Sequence, residues 1–304
     1  MKVTITGGTG TIGRAVAEEL LARGDEVTLL SRDAGRVSSA FGGRVRALEW
    51  KEPQAARPPA ESIEGQDGVV HLLGEPLDQR WNDDTKREIR DSRVLTTRNL
   101  VEAIKAAQAR PSVLVSQSAS GVYGPRGDEP VDESAPVADD FLAEVCVEWE
   151  AEARRAEELG VRVAVTRTGV VLAEDGGALA RMLPFFKAGV GGPVAGGGQY
   201  LPWIHLEDEV GALIFALDTE AASGPLNLSA PEPVTNKELS KALGRVLRRP
   251  AVAPVPALAL KLLYGDMAQI VTTGVRMVPR RLAELGYDFR RTDLETALRT
   301  VTGN

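Results

Sequence analysis

The stretch TITGGTGTIGR, residues 4–14, decides the fold. It stands where a short β-branched run, KVTIT (2–6), hands over to RAVAEELLARG (14–24). In the second segment Val16, Leu20 and Leu21 fall on one helical face, and Gly24 ends the pattern. The glycines read as Gly8-x-Gly10-x-x-Gly13 or as Gly7-x-x-Gly10-x-x-Gly13, and the physics is the same. A turn without side chains lets the backbone approach a pyrophosphate, and the N–H groups and dipole of the following helix face its charge. Gly13 lets helix and strand pack closely. Alone the motif is weak. Its placement between a first strand and its helix favours dinucleotide binding over a bare tight turn. The expected contacts are Gly7, Gly10, Thr11, Ile12 and Gly13.

Outward from this turn, strands and helices alternate. EVTLLS (26–31), VRALEW (45–50) and QDGVVHLLG (66–74) read as strands, the last apolar on both faces as buried parallel strands are. A helical pattern spans about 85–108, then come SVLVSQS (112–118), a helix near 139–159 and VRVAVTRTG (161–169). The rhythm predicts an α/β fold with a Rossmann-type, doubly wound parallel sheet. After about residue 170 it breaks: a Gly-rich loop covers 189–202, and the pattern is mostly helical from about 235, where Thr235 and Glu238 fit a capping box. The expected organisation is a nucleotide-binding domain over 1–170 and a smaller, mostly helical substrate domain over 171–304. Parts of 200–230 are expected to pack back on the sheet.

The end of the second strand selects the dinucleotide. An acid there would hold the adenosine ribose of NAD; instead the strand ends in Ser31 and Arg32. A guanidinium suits a 2′-phosphate, so NADP is expected, with Asp33 as a ribose ligand the competing reading. Ligands of open sheets sit beyond the carboxyl ends of the strands, which adds Leu72, Leu73 and Gly74 and, after the sixth strand, Gly169 to Val171.

Composition narrows the partners. The 36 basic and 43 acidic side chains leave a net charge of −7, which argues against broad nucleic-acid or anionic-membrane binding. One cysteine excludes an intrachain disulfide, and with two distant histidines, His71 and His205, no His/Cys metal site is expected. No targeting signal or spanning run is read, so a cytoplasmic location is the expectation. Nothing in the sequence speaks to oligomeric state.

The turn GGTGTIG, VVHLLGE, SQSASGVYG and PWIHLEDEV together resemble the extended short-chain dehydrogenase/reductases. RWNDDTKREIRDSR, GGPVAGGGQYLPWIHLED, NLSAPEPVTNKEL and RMVPRRLAELGYDF make the chain similar to their atypical, epimerase-like subfamily with a C-terminal helical domain of unknown function. The likeness covers nearly the whole chain. It implies a serine at the end of the fifth strand, here Ser118 with Ser116 and Ser120 as contenders. It also implies an asparagine whose place is taken by Arg93, and a Tyr-x-x-x-Lys pair. That pair falls on Leu142 and Cys146, or on Cys146 and Glu150, so it is missing. Its loss and the Asn-to-Arg exchange are what the atypical subfamily is known for.

A proton carrier must then be sought elsewhere. Tyr123 is the first candidate, against a packing role; Ser118 orients a carbonyl but is a poor acid at neutral pH. Arg93 cannot cycle a proton and is read as a cofactor contact. Glu88, about one turn away, binds a ribose or pairs with a base. Cys146 reads as an inert buried thiol, Glu150 as a solvated helix charge, His71 as a satisfied buried imidazole and Asp208 as a helix N-cap. Arg276, Arg280 and Arg281 either meet an anionic substrate or form a solvated basic face. The expected function is an NADP-dependent oxidoreductase or epimerase-like enzyme on a small metabolite, an anionic one being an option. The alternative is a non-catalytic NADP(H)-binding protein that senses redox state or binds a partner.

Overall fold

A computed structural model describes residues 1–303. In chain order the elements begin β1 (Lys2–Thr6), α1 (Thr11–Ala22), β2 (Glu26–Ser31), α2 (Ala34–Ala40), β3 (Arg46–Glu49), β4 (Gly68–His71) and α3 (Asp83–Ala106). They continue with β5 (Val113–Ala119), β6 (Pro130–Val131), α4 (Phe141–Arg154), β7 (Arg162–Thr168), β8 (Val170–Leu172) and α5 (Gly177–Lys187). Next come β9 (Tyr200–Leu201), β10 (Trp203–His205), α6 (Leu206–Asp218), β11 (Gly224–Leu228), β12 (Val234–Thr235) and α7 (Asn236–Leu247). The chain closes with α8 (Ala257–Tyr264), α9 (Ala268–Thr272), β13 (Arg276–Met277), α10 (Arg280–Glu284) and α11 (Leu294–Thr302).

Seven parallel strands form the central sheet in the order β11-β7-β5-β4-β1-β2-β3. Alternate strand residues face opposite layers. Val3, Ile5, Leu29 and Val115 pack with Leu20 of α1 and Leu213 of α6, whereas Val69, Leu114 and Val163 pack with Leu100 and Ile104 of α3 and Ala153 of α4. Both faces are therefore covered, which is why these strands read as continuous apolar runs. The seventh strand, β11, carries Pro225 and Asn227 and gives no β-branched signal. It and α6 bring chain from beyond residue 200 back to the sheet. A separate apolar cluster joins β8, β10, α5, α7 and α11 around Trp203, Phe186 and Leu243. No helix among the described residues is long and apolar enough to cross a membrane.

The strand order reverses between β1 and β4, and the glycine turn closes that junction. Gly7 has φ +70°, and a Cβ on it would stand 2.8 Å from the Leu72 carbonyl oxygen; one on Gly13 would stand 2.4 Å from the Gly7 oxygen. Buried His71 pins the same corner. Leu72 N–H donates to the Thr6 hydroxyl, and the Thr97 hydroxyl donates to the Arg93 carbonyl. The network therefore assigns Nδ1 of His71 as acceptor from Thr6 (2.7 Å) and Nε2–H as donor to Thr97 (2.9 Å). Burial pushes this imidazole down to about 3, so it stays neutral.

At the start of α6 the cap is His205, whose Nδ1 accepts from Glu207 N–H. Asp208 does not cap this helix. Its buried carboxylate accepts from the N–H groups of Arg290 and Arg291 and fastens the C-terminal segment instead. Next to it Glu209 is fully buried; it accepts from the Thr168 hydroxyl at 2.8 Å, and its second oxygen finds no partner among the described residues. Burial pushes Glu209 up to about 8, against 4.5 ordinarily. The folded chain thus holds a proton that the unfolded chain releases between these values, and stability falls as pH rises through that window. Glu209→Gln should flatten this slope: denaturant melts from pH 4.5 to 8 would converge on the parent at the acid end and exceed it at the alkaline end. Parallel curves would contradict the assignment.

Candidate functional site

The first turn of α1 has no side-chain cap and no acidic residue, because its N-cap is Gly10. By contrast α2, α3, α4, α6, α7 and α11 each receive a side-chain cap. The Thr11, Ile12 and Gly13 N–H groups belong to that bare turn, and orphan donors of this kind bind anions. The side chain of Thr11 donates to the carbonyl of Asp175 at 2.8 Å, so the segment after β8 lies against the helix start.

Beyond β2, Arg32 is exposed and its guanidinium finds no acid among the described residues. Ser31 Oγ accepts from Asp33 N–H at 3.2 Å, and the Asp33 carboxylate caps α2 by accepting from Arg36 N–H. Asp33 is thus engaged by its own helix. Leu72 and Leu73 are half-buried at the end of β4, and Gly74 is exposed under the Arg93 guanidinium, 3.0 Å from where its Cβ would stand. Arg93 donates to the carbonyls of Ile89 (2.9 Å) and Glu75 (3.0 Å) and lies over the Trp149 ring at 5.4 Å. Burial lowers its pKa. Glu88 is exposed and accepts from Gln54, about 140° round α3 from Arg93. Val171 is half-buried in β8, opposite Ile204.

The ends of β5, β7 and β11 carry a polar row that the sequence reading did not anticipate. Ser118, Arg167 and Asn227 stand opposite one another across three strands. Arg167 donates through Nε and Nη2 to the two oxygens of Glu150 on α4, each at 2.9 Å. The Ser118 hydroxyl donates to the same carboxylate at 2.8 Å. Tyr123, fully buried, donates to Asn227 Oδ1 at 2.7 Å and accepts from Arg167 Nη1 at 2.9 Å. Burial pulls the Arg167 pKa down, but the Glu150 carboxylate outweighs it and the net direction is up. Burial likewise raises Tyr123 and pushes the Cys146 thiol up to about 11. Glu150 is therefore not a solvated helix charge; it is 6% exposed and holds the pair.

Of the three serines, the buried Ser116 hydroxyl has no partner among the described residues and Ser118 is spent on Glu150. Ser120 is half-exposed, and its hydroxyl has no partner among the described residues. Leu142, at one of the tyrosine positions, packs beside Gly121, 3.3 Å from where a Cβ would stand. Of the arginines, Arg280 pairs with Asp132 and Glu284, and Arg276 lies over the Tyr200 ring at 5.3 Å. Arg281 is held through its backbone N–H by Glu133. Among the described residues no group of three or more His, Cys, Asp and Glu side chains is placed to hold a metal.

A buried pair of this kind is costly to halve and cheap to replace as a unit. Glu150→Ala should cost about 3–5 kcal/mol by leaving Arg167 uncompensated. The double variant Glu150→Leu/Arg167→Met should recover most of that loss. Tyr123→Phe should cost about 1–3 kcal/mol, because it leaves Asn227 Oδ1 and Arg167 Nη1 unpaired. Chemical denaturation of these three variants and the parent checks the set; a double variant no more stable than Glu150→Ala would show that the two charges are not coupled.

Comparison with known proteins bears on this geometry. Residues 3–229 match the model of the NAD dependent epimerase/dehydratase family, and residues 255–301 match a domain of unknown function, DUF1731. The chain is 40% identical to an Arabidopsis thaliana epimerase family protein, the chloroplastic SDR39U1 homolog, over 99% of this chain and 86% of that one. The crystal structure of human epimerase family protein SDR39U1 (isoform 2) with NADPH superposes with a TM-score of 0.90, at 36% identity and full coverage of both chains. A nucleoside-diphosphate sugar epimerase from Corynebacterium glutamicum superposes at 0.79, with 33% identity, over all of this chain and 58% of that one. The matched span, the double-wound sheet and the glycine turn agree: this chain belongs to the NAD dependent epimerase/dehydratase family.

Proposed function

We propose that this chain is an NADP(H)-dependent oxidoreductase of epimerase-like build acting on a small molecule. The observation that carries the reading is the bare first turn of α1, with Gly7 and Gly13 where a Cβ would strike neighbouring backbone. Gly7, Gly10, Thr11, Ile12 and Gly13 would hold the pyrophosphate. Ser31 and Arg32 would hold the 2′-phosphate, since Asp33 is occupied as a cap and Arg32 has no acid partner among the described residues. Leu72, Leu73 and Gly74 would line the cofactor beyond β4, with Arg93 bracing that edge and Val171 near the nicotinamide. Glu88 points to Gln54 and has the weakest case as a ribose ligand. The NADPH held by the human relative supports carrying this cofactor over. When bound, NADPH supplies a hydride; the chain binds and orients it.

A second reading, binding without turnover, is favoured by one observation. Ser118 and Tyr123, the residues expected to serve a substrate oxygen, are buried and have their hydroxyls engaged. Tyr123 then acts through the fold.

Calorimetry with NADPH and NADH tests the cofactor assignment. NADPH should bind more tightly, and Arg32→Ala should weaken it by about tenfold to a hundredfold while leaving NADH unchanged. Equal affinities, insensitive to the substitution, would sink the 2′-phosphate reading. NADPH oxidation against a panel of carbonyl compounds separates the two functional readings: turnover with any member supports the enzyme, and binding with none supports the sensor.

A further inference from the structure

We propose that the substrate is an apolar, planar acceptor of the quinone class, lying against the N-terminal turn of α4; this rests on the NADPH reading above. Two independent features point there.

The first is which oxyanion the site can tolerate. The Ser118 and Tyr123 hydroxyls are locked into the Glu150–Arg167 row, and Leu142 and Cys146 hold the positions of the missing pair. Cys146 is 4% exposed and keeps its proton. The free hydroxyl at this corner is that of Ser120, which can donate a hydrogen bond but does not release its proton near neutral pH. Reduction of a plain ketone leaves an alkoxide about as basic as hydroxide, and it must be protonated as it forms. A quinone leaves a phenolate-type oxyanion, whose conjugate acid has a pKa of about 10, as for tyrosine. A hydrogen bond from Ser120 stabilises such an ion, and water protonates it afterwards. The balance is one quinone, one hydride from NADPH and one proton from water, giving hydroquinone, NADP+ and a hydroxide that the buffer takes up. The hydride forms one O–H bond, the ring becomes aromatic, and the second oxygen carries the charge until the proton arrives.

The second feature is the wall. Leu142 belongs to an apolar cluster with Leu77, Trp81, Phe141, Met267 and Ile270. Trp81 and Phe141 meet edge to face at 5.5 Å, and Lys86, over the same Phe141 ring, is paired with Asp266. Helix α8 adjoins this wall, tied by the Arg80 guanidinium to the Leu262 carbonyl at 3.2 Å. It has no buried residue, and Leu258, Leu262 and Leu263 are 65–69% exposed. A flat ring finds carbon on these surfaces, whereas the hydroxyls of a sugar would lose hydrogen bonds to water without replacement.

The test uses the full chain loaded with NADP+, so that binding is read without turnover. By calorimetry 2-methyl-1,4-naphthoquinone should bind at least tenfold more tightly than UDP-glucose. Leu142→Gln should weaken the quinone at least tenfold, with NADP+ affinity unchanged. With NADPH, Ser120→Ala should slow quinone reduction about tenfold while quinone affinity holds, and turnover should show no solvent deuterium effect. UDP-glucose binding as tightly as the quinone, or reduction of a plain ketone with a solvent deuterium effect, would overturn the proposal. So would unchanged quinone binding in both Leu142→Gln and a Phe141→Gln variant. NADP+ binding without quinone binding defeats this proposal alone; failure to bind NADP+ or NADPH defeats the cofactor reading and this one with it.

Discussion

Two charges enclosed between sheet and helix, Arg167 and Glu150, constrain the carboxyl edge of β5, β7 and β11. The guanidinium comes from the middle strand of three and the carboxylate from α4, so the pair sets how α4 lies on β5, β7 and β11. Neither charge can be withdrawn alone, because desolvation would then go uncompensated. The pair also engages the Ser118 and Tyr123 hydroxyls. The same four side chains thus tie β5, β7, β11 and α4 into one rigid unit.

The cofactor corner follows a different logic. There the structure withholds side chains: Gly7 and Gly13 bring backbone to within contact of backbone, and α1 starts without a cap. What stabilises that corner is the Thr6–His71–Thr97 relay behind it, which satisfies a buried imidazole and leaves the N–H groups in front unclaimed. Binding capacity and stability are assigned to opposite sides of the same turn.

The sheet was legible because strands buried on both faces write themselves as apolar runs. β1, β2, β4, β5 and β7 all announce their positions this way. β11, reading GPLNL, does not, since its place depends on pairing with β7 and not on local propensity. The Arg167–Glu150 pair was hidden for a similar reason: the residues meet only after α4 has folded back over the sheet. One signal was nevertheless available. In VRVAVTRTG the arginine falls at the same parity as Val163 and Val165, which face α3 and α4, and a charge at such a position demands a buried partner. Asp208 would cap a helix that began just after it; α6 begins at Leu206 with His205 as its cap, so Asp208 lies inside the first turn and its carboxylate binds the C-terminal chain.

The contact between Thr11 and Asp175 has an outcome of its own. Its hydroxyl lies at the helix start, and a carbonyl from the stretch following β8 already claims it. Glu174 and Asp175 in that stretch are exposed acids. Two exposed carboxylates therefore stand close to a helix start whose own dipole is positive. With its hydroxyl held by main chain, Thr11 offers an anion its backbone N–H, so what this helix end presents is backbone alone.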